Sequence, residues 1–155
     1  MKDKLLIPGV VLVLILAYGI GQWMSNQQQR ASLPINSMIS ESCDPTLGPC
    51  SAKFDHNTLQ LVFLDKPSAL TPFRVRLESD SKHIDNIYLD FKMPGMNMGV
   101  NRYHLKREDG FWQSKLVLPV CTLRRNDWVL TVELEQKGIL WSSQYHFVNT
   151  VSQFN

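Results

Sequence analysis

The chain has 155 residues, with 16 lysines and arginines against 14 aspartates and glutamates, and its formal net charge is +2. Acidic and basic residues are interleaved along it. No basic stripe of the kind that nucleic acid requires is present, so the composition argues against DNA or RNA binding.

The first element in the chain is an apolar segment that runs from Leu5 to Met24 without a charged side chain. A helix needs about 20 apolar residues to cross the hydrocarbon core of a bilayer. Two lysines precede the segment, and the positive-inside preference places the N-terminus in the cytoplasm and the rest of the chain beyond the membrane. We therefore predict a cytoplasmic tip and a transmembrane anchor over residues 1–24. The alternative is a signal peptide cleaved near residues 17–19 (Ala-Tyr-Gly).

Residues 25–42 have the composition of a tether, because they are rich in Gln, Asn and Ser and because Pro34 interrupts any helix. Residues 43–155 are long enough for one exported domain with a single core. No internal repeat or composition shift divides them. The segment from Cys43 to Ala52 is expected as an N-terminal loop packed on that domain.

After the tether, short segments alternate apolar and polar residues with a period of two, which is the pattern of half-buried strands. No amphipathic helical pattern follows the anchor. We predict an all-β fold, an immunoglobulin-like antiparallel β-sandwich of about seven strands, with a small closed barrel as the alternative. The predicted strands cover residues 59–63, 73–77, 87–93, 101–106, 111–118, 128–134 and 140–148.

Three cysteines, Cys43, Cys50 and Cys121, lie in what the anchor makes an oxidising compartment, where at least one disulfide is expected. Cys43 and Cys50 bracket a turn-rich loop that is able to close on itself, and this pairing leaves Cys121 as a free thiol. Alternatively, Cys121 pairs with one of the other two and ties the N-terminal loop to the sandwich. The ordinary interpretation of Cys121 is a buried or disulfide-bonded core residue, and the functional one is a metal ligand.

The segment 93–99 (Met-Pro-Gly-Met-Asn-Met-Gly) contains three of the protein's six methionines. Pro-Gly turns the chain, so Met96 and Met98 are expected on a mostly exposed loop, with their sulfurs on one side and Met93 within reach. Thioether sulfur is soft, binds Cu(I) well and hard cations poorly, and needs no deprotonation. We therefore predict a Cu(I) site formed by these three methionines, with His104 or Cys121 as a further ligand. The ordinary interpretation is a packed loop or an adaptable protein-binding surface.

Several segments together resemble a known family. They are the loop ending in Gly-Pro-Cys at Cys50, the segment 93–99 followed by Asn101, and Leu-Pro-Val-Cys ending at Cys121 with Trp128 downstream. With the anchor, this combination resembles membrane-anchored bacterial proteins of the YtkA-like and FixH-like type over most of the exported domain. The resemblance implies a periplasmic immunoglobulin-like domain on a single-pass inner-membrane anchor, associated with copper delivery or cytochrome oxidase assembly. It also implies that the methionines of that segment and Cys121 are candidate metal ligands.

These features lead to two hypotheses of different classes. The first is a membrane-tethered periplasmic accessory protein that holds Cu(I) in the methionine-rich loop and passes it to a partner, such as a cytochrome oxidase assembly component. The second is a metal-free assembly factor that docks on a membrane complex through the same loop. No Ser/His/Asp arrangement, carboxylate pair, phosphate-cradling glycine loop or Cys-x-x-Cys motif stands out, so we predict no enzyme activity.

Overall fold

The computed structural model describes residues 15–22, 33–121, 123 and 125–149. Residues 15–22 form a helix, and the rest of the predicted anchor lies outside the described residues, as does the tether up to residue 32. Within the described ranges, no helix has the length and the apolar character that a membrane span requires. A compact β unit begins at Ile35.

From Ile35 onward the described chain contains eleven strands, where about seven were predicted, and they form two open sheets. The first sheet has the order β1-β11-β10-β6-β7 and the second the order β2-β3-β4-β5-β9-β8. Every pair is antiparallel except β1 with β11. The strands are β1 (Ile35–Ser37), β2 (Ile39–Ser40), β3 (Cys50–Phe54), β4 (Asn57–Phe63), β5 (Phe73–Ser79), β6 (Asn86–Lys92), β7 (Arg102–His104), β8 (Lys106–Glu108), β9 (Phe111–Leu116), β10 (Asp127–Gln136) and β11 (Ile139–Val148).

The hydrophobic core lies between the two sheets. In β10 every second side chain is buried, beginning with Trp128, and the same alternation in β6 buries Phe91. The Phe91 ring of the five-stranded sheet meets the Phe73 ring of the six-stranded sheet edge to face, with their centroids 6.2 Å apart. Alternating burial on two facing sheets is the arrangement of a β-sandwich. The all-β prediction and the sandwich prediction are confirmed.

Two of the connections between strands are tight hairpin turns. Asp109 and Gly110 join β8 to β9 with φ values of 51° and 87°, and Lys137 and Gly138 join β10 to β11 with φ values of 51° and 72°. A positive φ at both central residues is the requirement of a type I′ turn, which matches the twist of the flanking strands. The second hairpin sets the register of the long β10–β11 pair, from Asp127 opposite Val148 to Gln136 opposite Ile139.

Two short strands lie within residues 25–42, the segment predicted as a tether, since β1 begins at Ile35. Strand β1 pairs with β11, β2 pairs with β3, and Met38 between them is buried and donates its backbone N–H to the Ser142 carbonyl at 2.8 Å. All three side chains of β1 are exposed. An edge strand of this kind is held by backbone hydrogen bonds and leaves no apolar alternation in the sequence.

Cys43 and Cys50 form a disulfide, which selects the first of the two predicted pairings and leaves Cys121 as a free, buried thiol. Cys50 also begins β3, where the sequence predicted only a loop over Cys43 to Ala52. The strand buries Cys50, Ala52 and Phe54 and exposes the residues between them. A five-residue segment containing Ser, Ala and Lys carries little β-propensity, so its pairing with β4 was not apparent from the sequence.

The single strand predicted over residues 101–106 is divided between the two sheets. Strand β7 pairs with β6 in the first sheet, and β8 pairs with β9 in the second. Leu105 stands between them, fully buried, and donates its backbone N–H to the Ile87 carbonyl at 3.0 Å. The chain therefore passes from the first sheet to the second at Leu105.

Candidate functional site

The methionine loop, defined here as residues 93–101, leaves the end of β6 through a tight turn. The Met96 N–H donates to the Met93 carbonyl at 3.1 Å, and Gly95 has a φ of 73°. Proline at the second position of a turn and glycine with positive φ at the third are the signature of a type II turn. The turn returns Met96 to the vicinity of Met93.

Polar side chains within the methionine loop hold the remainder of it in place. The Asn97 side-chain oxygen accepts a hydrogen bond from the Gly99 N–H at 3.1 Å. The Asn101 side-chain amide donates to the Met98 carbonyl, also at 3.1 Å. Such local bonds satisfy backbone groups that no strand partner reaches, and they define one loop conformation.

The three methionines are more buried than a loop position suggests. Met93 continues the alternation of β6 into the core and is only 2 % exposed, whereas Met96 and Met98 are half-buried and pack against the core. The expectation of mostly exposed loop methionines is therefore wrong, because the turn folds the loop back over the end of the sandwich. One thioether lies inside the core and two lie at its surface.

Cys121 contacts the methionine loop from a second loop. It belongs to the Cys121 loop, defined here as residues 117–126, which joins β9 to β10, and its side chain is 5 % exposed. The Cys121 thiol points at the Met96 sulfur, with Sγ and Sδ 3.5 Å apart. The fold thus brings into direct contact a thiol and a thioether that are 25 positions apart in the sequence. The sequence named both residues as candidate ligands but did not predict this contact.

Arg125 links the two loops. This role is not apparent from the sequence. Its Nη1 donates to the Pro94 carbonyl at 2.8 Å, while its Nε and Nη2 form a two-pronged pair with the Asp127 carboxylate. The hydrogen bonds of this pair raise the pKa of Arg125 and lower the pKa of Asp127. The sequence shows the Arg-x-Asp spacing of Arg125 and Asp127, but it does not show that Arg125 reaches the Pro94 carbonyl.

Replacing Arg125 by glutamine should loosen the methionine loop without unfolding the protein. The variant loses the bond to Pro94, so we expect amide hydrogen exchange in residues 93–99 to become about fivefold faster. Arg74→Gln is the matched control, because it breaks a similar arginine–aspartate pair, with Asp65, elsewhere in the sandwich. Equal exchange of the loop in the Arg125 variant and the native chain would show that Arg125 does not hold it.

His104 is not brought to the sulfur atoms. In β7 it lies opposite Tyr88 of β6, and the two rings stack on the outer face of the sheet with centroids 4.8 Å apart. Its neighbours Tyr103 and Leu105 turn inward to pack in or against the core. Since side chains alternate between faces, His104 lies on the face opposite Met93. The prediction of His104 as a ligand is not supported by this placement.

The candidate site, which we call the sulfur site, is the contact between Cys121 and Met96, together with Met93 and Met98 of the same methionine loop. Among the residues that the structure describes, no group of three or more His, Cys, Asp or Glu side chains is placed to hold a metal ion. A site for a hard cation, which needs several carboxylates, is thus not found in that part of the chain. A thiol beside thioethers is a donor set for a soft ion.

Comparison with protein-family models gives no match for this chain, and comparison with curated proteins gives no significant match. The resemblance to YtkA-like and FixH-like proteins consequently stays a prediction from the sequence.

Proposed function

We propose that this protein is a copper carrier: an exported accessory protein, tethered to the membrane by its N-terminal helix, that holds Cu(I) at the sulfur site and passes it to a partner. The observation that carries the proposal is the 3.5 Å contact between Cys121 Sγ and Met96 Sδ. Copper is the cargo of this function, and the chain supplies the ligands.

The donor set suits Cu(I) in both chemistry and spacing. Thiolate and thioether are soft ligands, which Cu(I) prefers to the oxygen ligands of magnesium or calcium. Metal–thiolate bonds of about 2.3 Å, as found for zinc, place two sulfurs of a tetrahedral site about 3.8 Å apart. The observed separation of 3.5 Å is therefore close to what one bound ion requires. Binding would release the Cys121 proton.

The position of the sulfur site favours uptake and release. Met96 and Met98 are half-buried at one end of the sandwich, while Cys121 and Met93 lie beneath the surface. A partner with soft ligands of its own would approach the outer thioethers first and take the ion by ligand exchange. Strand β1 begins at the opposite end of the sandwich, where Ile35 lies beside Leu140.

The remaining elements of the proposal rest on the sequence. We propose that the uncharged segment over residues 5–24 anchors the chain in a bacterial inner membrane and that the domain stands in the periplasm. We further propose that the sandwich is immunoglobulin-like and that the partner is a component of copper delivery or cytochrome oxidase assembly, as the family resemblance implies. The disulfide between Cys43 and Cys50 fits an oxidising compartment.

A second candidate function is favoured by the apolar residues that flank the sulfur site. Val100, in the methionine loop, is 91 % exposed, and Leu123, in the Cys121 loop, is 69 % exposed. Exposed apolar side chains at the end of a domain are suited to docking on another protein without a metal. This is the metal-free assembly factor, and it differs from the carrier in tolerating Met→Leu substitutions, which preserve apolar volume.

X-ray absorption on the copper-loaded full-length chain tests the carrier directly. We expect a first shell of sulfur alone at about 2.3 Å, because the one histidine considered as a ligand, His104, stacks on Tyr88 on the outer face of the sheet. The His104→Ala variant should give the same spectrum, since His104 is on the other face of the sheet. A nitrogen ligand that disappears in His104→Ala would contradict the sulfur site as described.

A further inference from the structure

A second site lies on the outer face of the six-stranded sheet, in a cleft of about 450 Å³. Cross-strand pairing brings its cations together: Arg74 of β5 lies opposite Lys115 of β9, and Gln113 of β9 lies between Arg76 of β5 and Lys106 of β8. These five residues and Glu108 line the cleft. The cleft is not apparent from the sequence, because its cations come from three strands.

Most of the positive charge in the cleft has no partner. Arg74 is the exception, since its guanidinium binds the Asp65 carboxylate through two hydrogen bonds of 2.8 and 2.9 Å. The single lining carboxylate, Glu108, accepts a hydrogen bond from Gln113 at 2.9 Å.

Arg76, Lys106 and Lys115 form no ion pair within 4.0 Å with any residue that the structure describes. The hydrogen bonds from Arg74 are the main cause of the lowered pKa of Asp65, and the charge of Lys115 lowers it further. Like charges placed directly opposite each other on neighbouring strands, as Arg74 and Lys115 are, destabilise a sheet. The Asp65 carboxylate offsets part of that repulsion, and an anion in the cleft would relieve the rest.

Arg76 is oriented in advance for such an anion. Its guanidinium carbon lies 4.5 Å from the centre of the Phe111 ring, a cation–π contact that holds the guanidinium against the ring. Its Nε is buried and has no hydrogen-bond partner in the described part of the chain. A planar guanidinium fixed by stacking matches the two oxygens of a carboxylate or phosphate.

We propose that this cleft binds an anionic group of the phosphate or carboxylate class, held by Arg76, Lys106 and Lys115. The proposal is independent of copper, because none of these residues contacts the sulfur site. Two sources offer the same chemistry: a free anion in solution, and the phosphate of a lipid headgroup. The chain's own charges provide the attraction in either case.

Calorimetric titration of the full-length chain in a neutral detergent tests the proposal, with inorganic phosphate, citrate and glycerophosphoglycerol as three separate probes. We expect saturable binding of at least one of them, with Kd of about 1 mM or tighter. The triple variant Arg76→Gln, Lys106→Gln, Lys115→Gln should bind about tenfold more weakly, because it lacks the charged donors.

The matched control is Lys53→Gln, Lys82→Gln, Lys137→Gln, which removes the same charge from exposed positions outside the cleft. It should bind like the native chain. Tightest binding of glycerophosphoglycerol would support the cleft and assign it to a lipid headgroup, and equal or tighter binding of phosphate or citrate would support it as a site for a free anion. No saturable binding of any probe, or an equal loss in the control triple, would overturn the proposal.

Discussion

Replacing Cys121 by alanine is expected to weaken Cu(I) binding at least about a hundredfold, since losing residues that only support a metal's ligands already costs 10–100-fold. Cys121 is the only cysteine that is not in a disulfide, so it is the only thiolate this chain offers a soft ion. Alanine fits the buried position without introducing a polar group, so the variant should stay folded. The affinity is measured by competition with a Cu(I) chelator under reducing conditions.

Met96→Leu is the companion variant for the partner of Cys121, and we expect it to weaken binding in the same assay while preserving apolar volume. Met38→Leu is its matched control. Met38 is a buried methionine of the same core, outside both loops, so its replacement tests what Met→Leu does where no metal is expected. If Cys121→Ala and Met96→Leu bound copper as well as Met38→Leu, the contact between the two sulfurs would have no part in binding.

The second large effect concerns the core that positions the methionine loop. Phe91 is fully buried, and its ring meets the rings of Phe73, Tyr103 and Phe147 at centroid separations of 6.1 to 6.2 Å. Phe91→Ala should lower the free energy of unfolding by about 3–5 kcal/mol, because it removes a large apolar side chain and leaves a cavity between the sheets. Urea unfolding followed by tryptophan fluorescence measures this loss.

Phe111→Ala serves as the control for that loss. Phe111 is half-buried on the outer face of the six-stranded sheet, where Arg76 covers it, so its replacement should cost no more than about 1 kcal/mol. Comparable losses for Phe91→Ala and Phe111→Ala would contradict a core centred on Phe91. Because Met93 follows Phe91 by two residues on the same face of the chain, a weakened core is also expected to disorder the start of the methionine loop.

Regular alternation made the long strands predictable from the sequence. Strands such as β10 bury every second side chain, and the hairpin residues at Asp109-Gly110 and Lys137-Gly138 mark where the chain reverses. Strand β1 was missed for the opposite reason. It pairs through its backbone and exposes its side chains, so no pattern in its residues reports the pairing.

The candidate site was predictable in its residue types but not in its contacts. The preference of soft ions for sulfur ligands identified four residues, but it did not show which of them are in contact. They are Met93, Met96, Met98 and Cys121. The Cys121–Met96 contact and the Arg125–Pro94 bond join residues 25 and 31 positions apart, and only the folded sandwich brings such residues together. His104 could have been set aside from the sequence, because strict alternation along β7 and Leu105 turns it to the outer face.

The most direct test of the copper carrier is a Cu(I) titration of the full-length chain against a competing chelator, alongside the Met93→Leu, Met96→Leu, Met98→Leu variant. The native chain should bind about one equivalent, and the variant should lose that binding while it keeps the circular dichroism of a β-sandwich. If the native chain takes up no Cu(I), or the variant binds it equally well, the sulfur site is not a copper site, and docking through the exposed Val100 and Leu123 becomes the better account.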